Sequence, residues 1–185
     1  VAVDDEEATV AQRRAVFIPG MGYDTRAPLF AYAGESLRRA RFDIHEISWE
    51  YPAGLTDEQR APWVAERVLP ALTESTDLLV GKSLGSLAAP LAADRALPAI
   101  WLTPLLHLPE VVDALRRAEA PFLLVGGAAD RTWDSATARR LTPHLVEIPE
   151  ADHSLMLPGP LVRSAEALGR TCTAIEEFVQ VIWAA

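Results

Sequence analysis

Ser83 stands in Gly81-Lys82-Ser83-Leu84-Gly85, directly after the apolar run Leu78-Leu79-Val80 and ahead of a helix-forming stretch rich in Leu and Ala. Small residues on both sides of a serine allow a strand-to-helix turn too tight for bulky neighbours, and such a turn lifts the hydroxyl above a sheet edge. The Leu84 N–H then falls at a helix start, where it can face developing negative charge. A serine hydroxyl is a weak nucleophile at neutral pH and needs a base to take its proton. Two further groups complete that chemistry. Asp130 ends Gly126-Gly127-Ala128-Ala129-Asp130 after an apolar run at 122–125, and His153 sits in Ala151-Asp152-His153-Ser154 after another at 145–148. Nucleophile, acid and base therefore follow in the order Ser, Asp, His, each just past an apolar run. The imidazole serves as base, and a carboxylate behind it fixes its tautomer and stabilises the imidazolium. If neutral His153 takes the proton, acylation falls at acidic pH as the ring becomes protonated. Two N–H donors must then bind the oxyanion, each worth about 3–4 kcal/mol. Leu84 offers one, and Pro19-Gly20-Met21-Gly22 after the first apolar run is a flexible loop able to aim another backbone N–H.

Alternative assignments of the same letters fare worse. Asp152 is adjacent to His153, and neighbouring residues rarely point at each other. Asp134 is placed to cap the helix that follows. His45, His107 and His144 read as structural or surface residues, and no pair has metal-ligand spacing, so no metal site is expected. The Gly-Lys-Ser triplet fails as a phosphate loop. Walker A requires glycine where this chain has Thr76, and residues 77–80 are apolar strand rather than a glycine-rich cradle. No cofactor is expected.

The elements that must position these groups alternate along the chain. Strands are expected at 15–18, 42–49, 77–81, 99–102, 122–125 and 145–148. Ile44 and Ile47 are the expected buried positions of the second. Helices are expected at 28–40, 57–74 with a break near Pro70, 84–95, 109–118, 134–142 and 161–183. The first helix should bury Leu29, Tyr32, Ala33, Ser36 and Leu37. The last should bury Val162, Ala165, Leu168, Cys172, Ile175, Val179 and Ile182. Short, nearly all-apolar strands alternating with helices predict an α/β domain with a mostly parallel six-stranded sheet covered on both faces, a three-layer sandwich. Ligand sites in such sheets lie at the C-terminal ends of the strands, where Ser83, Asp130 and His153 all fall.

With 185 residues the chain is long enough for one core and short for two. Residues 1–12 read as a solvated acidic tail and 13–185 as a single domain. A net charge of −9 argues against binding a phosphate backbone, so no nucleic-acid partner is expected. No apolar run is long enough to cross a membrane. The first dozen residues lack the basic and apolar regions of a signal peptide. Cys172 is the only cysteine, which leaves no intrachain disulfide and fits a cytoplasmic setting. The sequence leaves the oligomeric state open.

Over residues 13–185 the chain resembles the α/β-hydrolase superfamily. The resemblance rests on Gly81-Lys82-Ser83-Leu84-Gly85, on Gly126 to Asp130 after an apolar strand, and on Ala151-Asp152-His153-Ser154. It implies Ser83 as nucleophile, Asp130 as acid, His153 as base, and the backbone N–H groups of Leu84 and Met21 as the oxyanion hole. The family often has His-Gly in the first loop, where this chain has Pro19-Gly20. Many members carry a lid after the strand that follows the elbow helix. Here only Thr103-Pro104-Leu105-Leu106-His107-Leu108 fills that position, which leaves no room for a folded cap.

The expected site is therefore open and edged by short loops. Its wall candidates are Tyr23, Leu105, Leu106, Trp133, Leu155 and Met156, besides Met21, with Tyr51 and Trp63 as a further rim. Trp133 either shelters the acid from water or packs in the core. Such a site suits a small or accessible carboxylic ester or thioester, with an acyl carrier as a candidate partner. The same triad also serves biosynthetic thioester release, lactonisation or ring closure, and the fold is compatible with a non-catalytic binder. Lys82, the only lysine, either steers an anionic partner or is a solvated or locally paired residue beneath the elbow, and the second reading needs fewer assumptions.

Overall fold

Six parallel strands form one sheet in the order β2-β1-β3-β4-β5-β6. They are β1 (Arg13–Ile18), β2 (Phe42–Glu46), β3 (Leu78–Lys82), β4 (Ala99–Leu102), β5 (Phe122–Gly127) and β6 (Leu145–Ile148). The structure, a computed structural model, describes residues 12–183. The tail expected at residues 1–12 lies outside those residues except for its last position. Parallel neighbours need a crossover, and each is a helix: α1 (Pro28–Arg39), α2 (Asp57–Val68), α3 (Ala89–Asp94), α4 (Pro109–Arg117) and α5 (Ser135–Leu141), with α6 (Leu161–Trp183) closing the chain.

The four central strands are apolar on both sides because both sides are covered. Phe17, Leu78, Val80, Ile100 and Leu123 pack under α1 and α6, while Val16, Ile18, Leu79, Trp101 and Leu124 pack under α2 to α5. Among the described residues no helix is long and apolar enough to cross a membrane.

Several elements depart from the sequence reading. As an edge strand β2 stops at Glu46, and Phe42 and Ile47 are buried while Ile44 is only partly so. The helix expected at 57–74 ends at Val68 and tightens to a single 3-10 turn at Leu69–Ala71, since Pro70 has no N–H to continue it. The helix after Ser83 opens as a 3-10 segment, Ser83–Ala88, before α3. In α1, Phe30 is buried and Tyr32 is exposed. In α6 the buried face runs through Ser164, Ala167, Thr171, Ala174, Ile175, Phe178 and Val179, leaving Val162 and Ala165 exposed and Cys172 half-buried.

Chain direction in the sheet reverses between β1 and β3. The chain steps outward from β1 to β2, then returns to place β3 on the other side of β1 and proceeds to β6. The loops leaving β1 and β3 therefore diverge, which opens a crevice at the C-terminal edge. Register pairs Ile18 with Gly81 and Lys82 with Leu102, so the first loop and the Ser83 turn emerge side by side.

Candidate active site

Ser83 has a left-handed backbone, φ 51, a conformation that costs a non-glycine residue about 1–3 kcal/mol. The neighbouring glycines explain how the turn closes. A Cβ on Gly81 would lie 2.6 Å from the Trp101 ring, and one on Gly85 would overlap the carbonyl oxygen of Ile18. The close approach of Gly85 seats the start of the elbow helix against the end of β1. Ser86 clamps the turn from inside: its buried Oγ donates to the Ser83 carbonyl at 2.7 Å and accepts the Leu105 N–H at 3.1 Å.

The three groups expected from sequence meet here. His153 Nε2 and Ser83 Oγ are 2.7 Å apart, and His153 Nδ1 is 2.7 Å from Asp130 Oδ2. The second carboxylate oxygen of Asp130 accepts the Thr132 N–H at 2.8 Å and the Thr132 hydroxyl at 2.9 Å. The Asp130 side chain is 1% exposed, whereas that of His153 is 36% exposed. Burial pushes the Asp130 carboxyl up, but the hydrogen bonds from His153 and Thr132 outweigh it and hold its pKa below the ordinary value. The carboxylate is thus charged and directed at the ring nitrogen that would carry a proton when the other nitrogen accepts one from serine. Asp152 does not compete for His153. Its Oδ1 accepts the N–H groups of Ser154 and Met156 and shapes the loop that carries the imidazole.

The two expected oxyanion donors are Leu84, next to Ser83 in the elbow, and Met21, in the first loop. Leu84 is the second residue of the 3-10 segment, ahead of the first intrahelical bond. Met21 lies in a turn closed by the Gly20 N–H donating to the Tyr23 carbonyl at 2.9 Å, and the Trp49 indole N–H donates to the Gly20 carbonyl at 3.3 Å. Among the described residues the Met21 N–H has no protein acceptor. A Cβ built on Gly20 would be 3.5 Å from that of Ser83, so this turn packs against the serine.

Two clefts share Tyr23 of the first loop in their walls, and neither is lined by Ser83, Asp130 or His153. A polar one of about 620 Å³ runs between the first loop and the end of β2, lined by Gly20, Tyr23, Thr25, Glu46, Ser48 and Trp49 among others. A smaller one of about 240 Å³ is lined mainly by apolar groups of Tyr23, Leu29, Leu155, Met156 and Leu168, with Ser154, the residue after His153, also on its wall. Of the expected wall residues, Tyr23 lines both clefts and Leu155 and Met156 line the apolar one. Leu105, Leu106 and Trp133 line neither cleft. Leu106 and Trp133 are buried in the core under α2 to α5, and Leu105 packs against it. The Trp133 ring covers Gly126, and its indole N–H donates to Glu147 at 2.7 Å. Tyr51 and Trp63 stack edge-on at 5.3 Å, and Trp63 meets Trp49 at 5.2 Å, an aromatic group behind the polar cleft.

Sequence reasoning missed Ser86, Thr132 and Trp49. Thr132 had a readable signal, since Asp-x-Thr forms a turn in which the carboxylate accepts the N–H two residues on. Of the remaining histidines, His45 and His107 are exposed and His144 packs edge-on against Phe178. Among the described residues no cluster of His, Cys, Asp or Glu could hold a metal ion.

No protein-family profile matches the sequence, and no curated protein sequence matches it. Solved structures do. The chain is similar to Est1E from Butyrivibrio proteoclasticus, with TM-score 0.70 and 16% identity over 96% of this chain and 92% of that one. It is similar to an α/β serine hydrolase homologue from Coxiella burnetii, with TM-score 0.68 and 14% identity over 91% and 85%. A serine hydrolase without a lid from Xanthomonas campestris matches with TM-score 0.59 and 17% identity over 93% and 85%. The fold is that of the lidless α/β serine hydrolases. At these identities the likeness is one of architecture. Within that architecture the segment after β4 is only a short loop leading to α4, as the sequence implied, and no cap covers the C-terminal edge at that position.

Proposed function

We propose that this protein is a serine hydrolase that cleaves a small or accessible carboxylic ester or thioester through an acyl-enzyme on Ser83. The observation that carries the reading is the continuous chain Ser83 Oγ, His153 Nε2, His153 Nδ1, Asp130 Oδ2, with 2.7 Å at each hydrogen bond. A binding module has no need of a nucleophile held in a strained turn and backed by a base and a buried carboxylate.

In this mechanism Ser83 Oγ attacks the acyl carbonyl while His153 Nε2 takes its proton, and Asp130 stabilises the imidazolium. The oxyanion lies against the Leu84 and Met21 N–H groups. The imidazolium then protonates the leaving alcohol or thiol, leaving Ser83 acylated. A water, deprotonated by His153, attacks the acyl-enzyme, and the imidazolium returns the proton to Ser83 Oγ as the acyl C–O bond breaks and the acid is released. The partial exposure of the imidazole supports hydrolysis over ring closure, because water reaches the base directly.

Tyr23 lines both clefts and Ser154, the residue after His153, lines the apolar one; on that ground the two clefts are assigned to the two halves of the substrate. The apolar cleft of about 240 Å³ is smaller than the roughly 300–1,000 Å³ of typical ligand sites and suits a short acyl chain. The larger polar cleft beside Gly20 suits the leaving group. The test is turnover of p-nitrophenyl esters and acyl thioesters of increasing chain length. Acetyl and butyryl substrates should react faster than octanoyl ones. A folded protein that turns over none of them would overturn the proposal.

A further inference from the structure

Lys82 is the element of the motif that the proposed reaction leaves unused. It ends β3, directly before Ser83, and is 2% exposed. An ammonium so buried cannot meet a partner protein, which removes the steering role considered from sequence. Burying an ammonium is expensive, and a methionine of similar length would fill the same space without that penalty. The amine's contacts set it apart. Its Nζ donates to the backbone carbonyl of His153 at 3.1 Å and stands 4.5 Å from the centroid of the Tyr23 ring. Among the described residues no backbone N–H reaches that carbonyl. Tyr23, on the other side, closes the turn that contains Met21 through its own carbonyl, and its hydroxyl accepts the Leu29 N–H at 3.0 Å.

We propose that Lys82 is a positioning residue: from beneath the elbow its ammonium ties the backbone of the base to the oxyanion turn and holds both in register with Ser83. The inference rests on the serine-hydrolase reading. Nucleophile, base and one oxyanion donor come from three separate loops. Misplacing one reacting group by about 1 Å can cost 10²-fold in rate. A single amine that touches two of these loops and is covalently next to the third is placed to prevent that. The titratable groups facing it are Tyr23 from the first loop, Asp130 from the loop after β5, and Asp152 and His153 from the loop after β6. Burial lowers its pKa to about 8 against the opposing pull of Asp130 and Asp152, so the ammonium is lost at mildly alkaline pH.

The experiment compares wild type with Lys82→Met and Lys82→Gln. It reads the rate of fluorophosphonate labelling of Ser83, kcat and KM for p-nitrophenyl acetate, and melting temperature, from pH 6 to pH 10. Lys82→Met should fold, keep its KM, and lose about 10- to 100-fold in labelling rate and kcat at pH 7. Wild type should lose activity above about pH 8, and neither variant should show that alkaline fall. Lys82→Gln, which keeps a donor without charge, should recover part of the rate, and it carries the same test if the Met variant does not fold. Folded variants within twofold of wild type, or variants that keep the alkaline fall, would overturn the inference. A loss of rate that only follows a loss of melting temperature, with an unchanged pH profile, would overturn it too. If wild type itself is not labelled at Ser83, it is the serine-hydrolase reading that fails, before any variant is compared.

Discussion

Replacing Lys82 by methionine should make the protein more stable as well as slower, and the gain should depend on pH. In the folded state the amine pKa falls from its ordinary 10.5 to about 8. At about 1.4 kcal/mol for each tenfold change, that depression corresponds to roughly 3 kcal/mol of folding free energy lost by keeping the charged form. The sign follows from the depressed folded-state value. The penalty is present in full below pH 8, shrinks as pH rises from 8 towards 10.5, and vanishes once the amine is neutral in the unfolded chain as well. Methionine removes the penalty but leaves the His153 carbonyl without its donor, a cost of about 1–2 kcal/mol. The balance at pH 7 is a gain of about 1–2 kcal/mol, or a rise of about 3–6 °C in melting temperature for a chain of this size. At pH 9.5 the remaining penalty is roughly 1.5 kcal/mol and the gain falls to about zero. Differential scanning calorimetry at both pH values measures the difference. A Lys82→Met protein that melts below wild type by the same margin at both pH values would refute the reasoning, because the buried ammonium would then be a net stabiliser.

Other substitutions probe the site and its supports. Asp130→Asn should leave the fold intact and lower kcat by about 10⁴-fold, because the neutral amide no longer holds the imidazole tautomer; single-turnover kinetics check it. Ser86→Ala leaves the Ser83 carbonyl and the Leu105 N–H without partners inside the core, and should cost about 1–3 kcal/mol in urea denaturation. Gly85→Ala drives a Cβ into the Ile18 carbonyl, where backbone rather than a flexible side chain must yield. A loss of about 1–3 kcal/mol or more is expected by thermal melting, with a parallel fall in labelling at Ser83.

The sheet was legible because its strands are short, apolar and punctuated by Gly and Pro, and because three chemistry-bearing residues recur just past strand ends. Ser83, Asp130 and His153 could be placed at one edge without coordinates, and so could the bareness of the loop after β4. What escaped depends on tertiary packing. The buried stripe of α6 is offset along its first half from the one that apolar spacing marks: Ser164, Ala167, Thr171 and Ala174 face inward, while Val162 and Ala165 are exposed. The sequence reading carries edge strand β2 three residues too far because apolar Ile47 and Trp49 alternate with Ser48 as a strand would, although the strand ends at Glu46. Trp49 turns instead to hold Gly20. A lysine carries no sign of its own burial, and Ser86 gains its role only once β4 and the elbow lie side by side.

The most direct measurement is covalent labelling by a fluorophosphonate probe with peptide mapping. The account predicts a single adduct on Ser83, abolished in Ser83→Ala and slowed in His153→Ala while both variants keep the melting behaviour of a folded protein. An adduct on another residue, or none on a folded wild type, would contradict it.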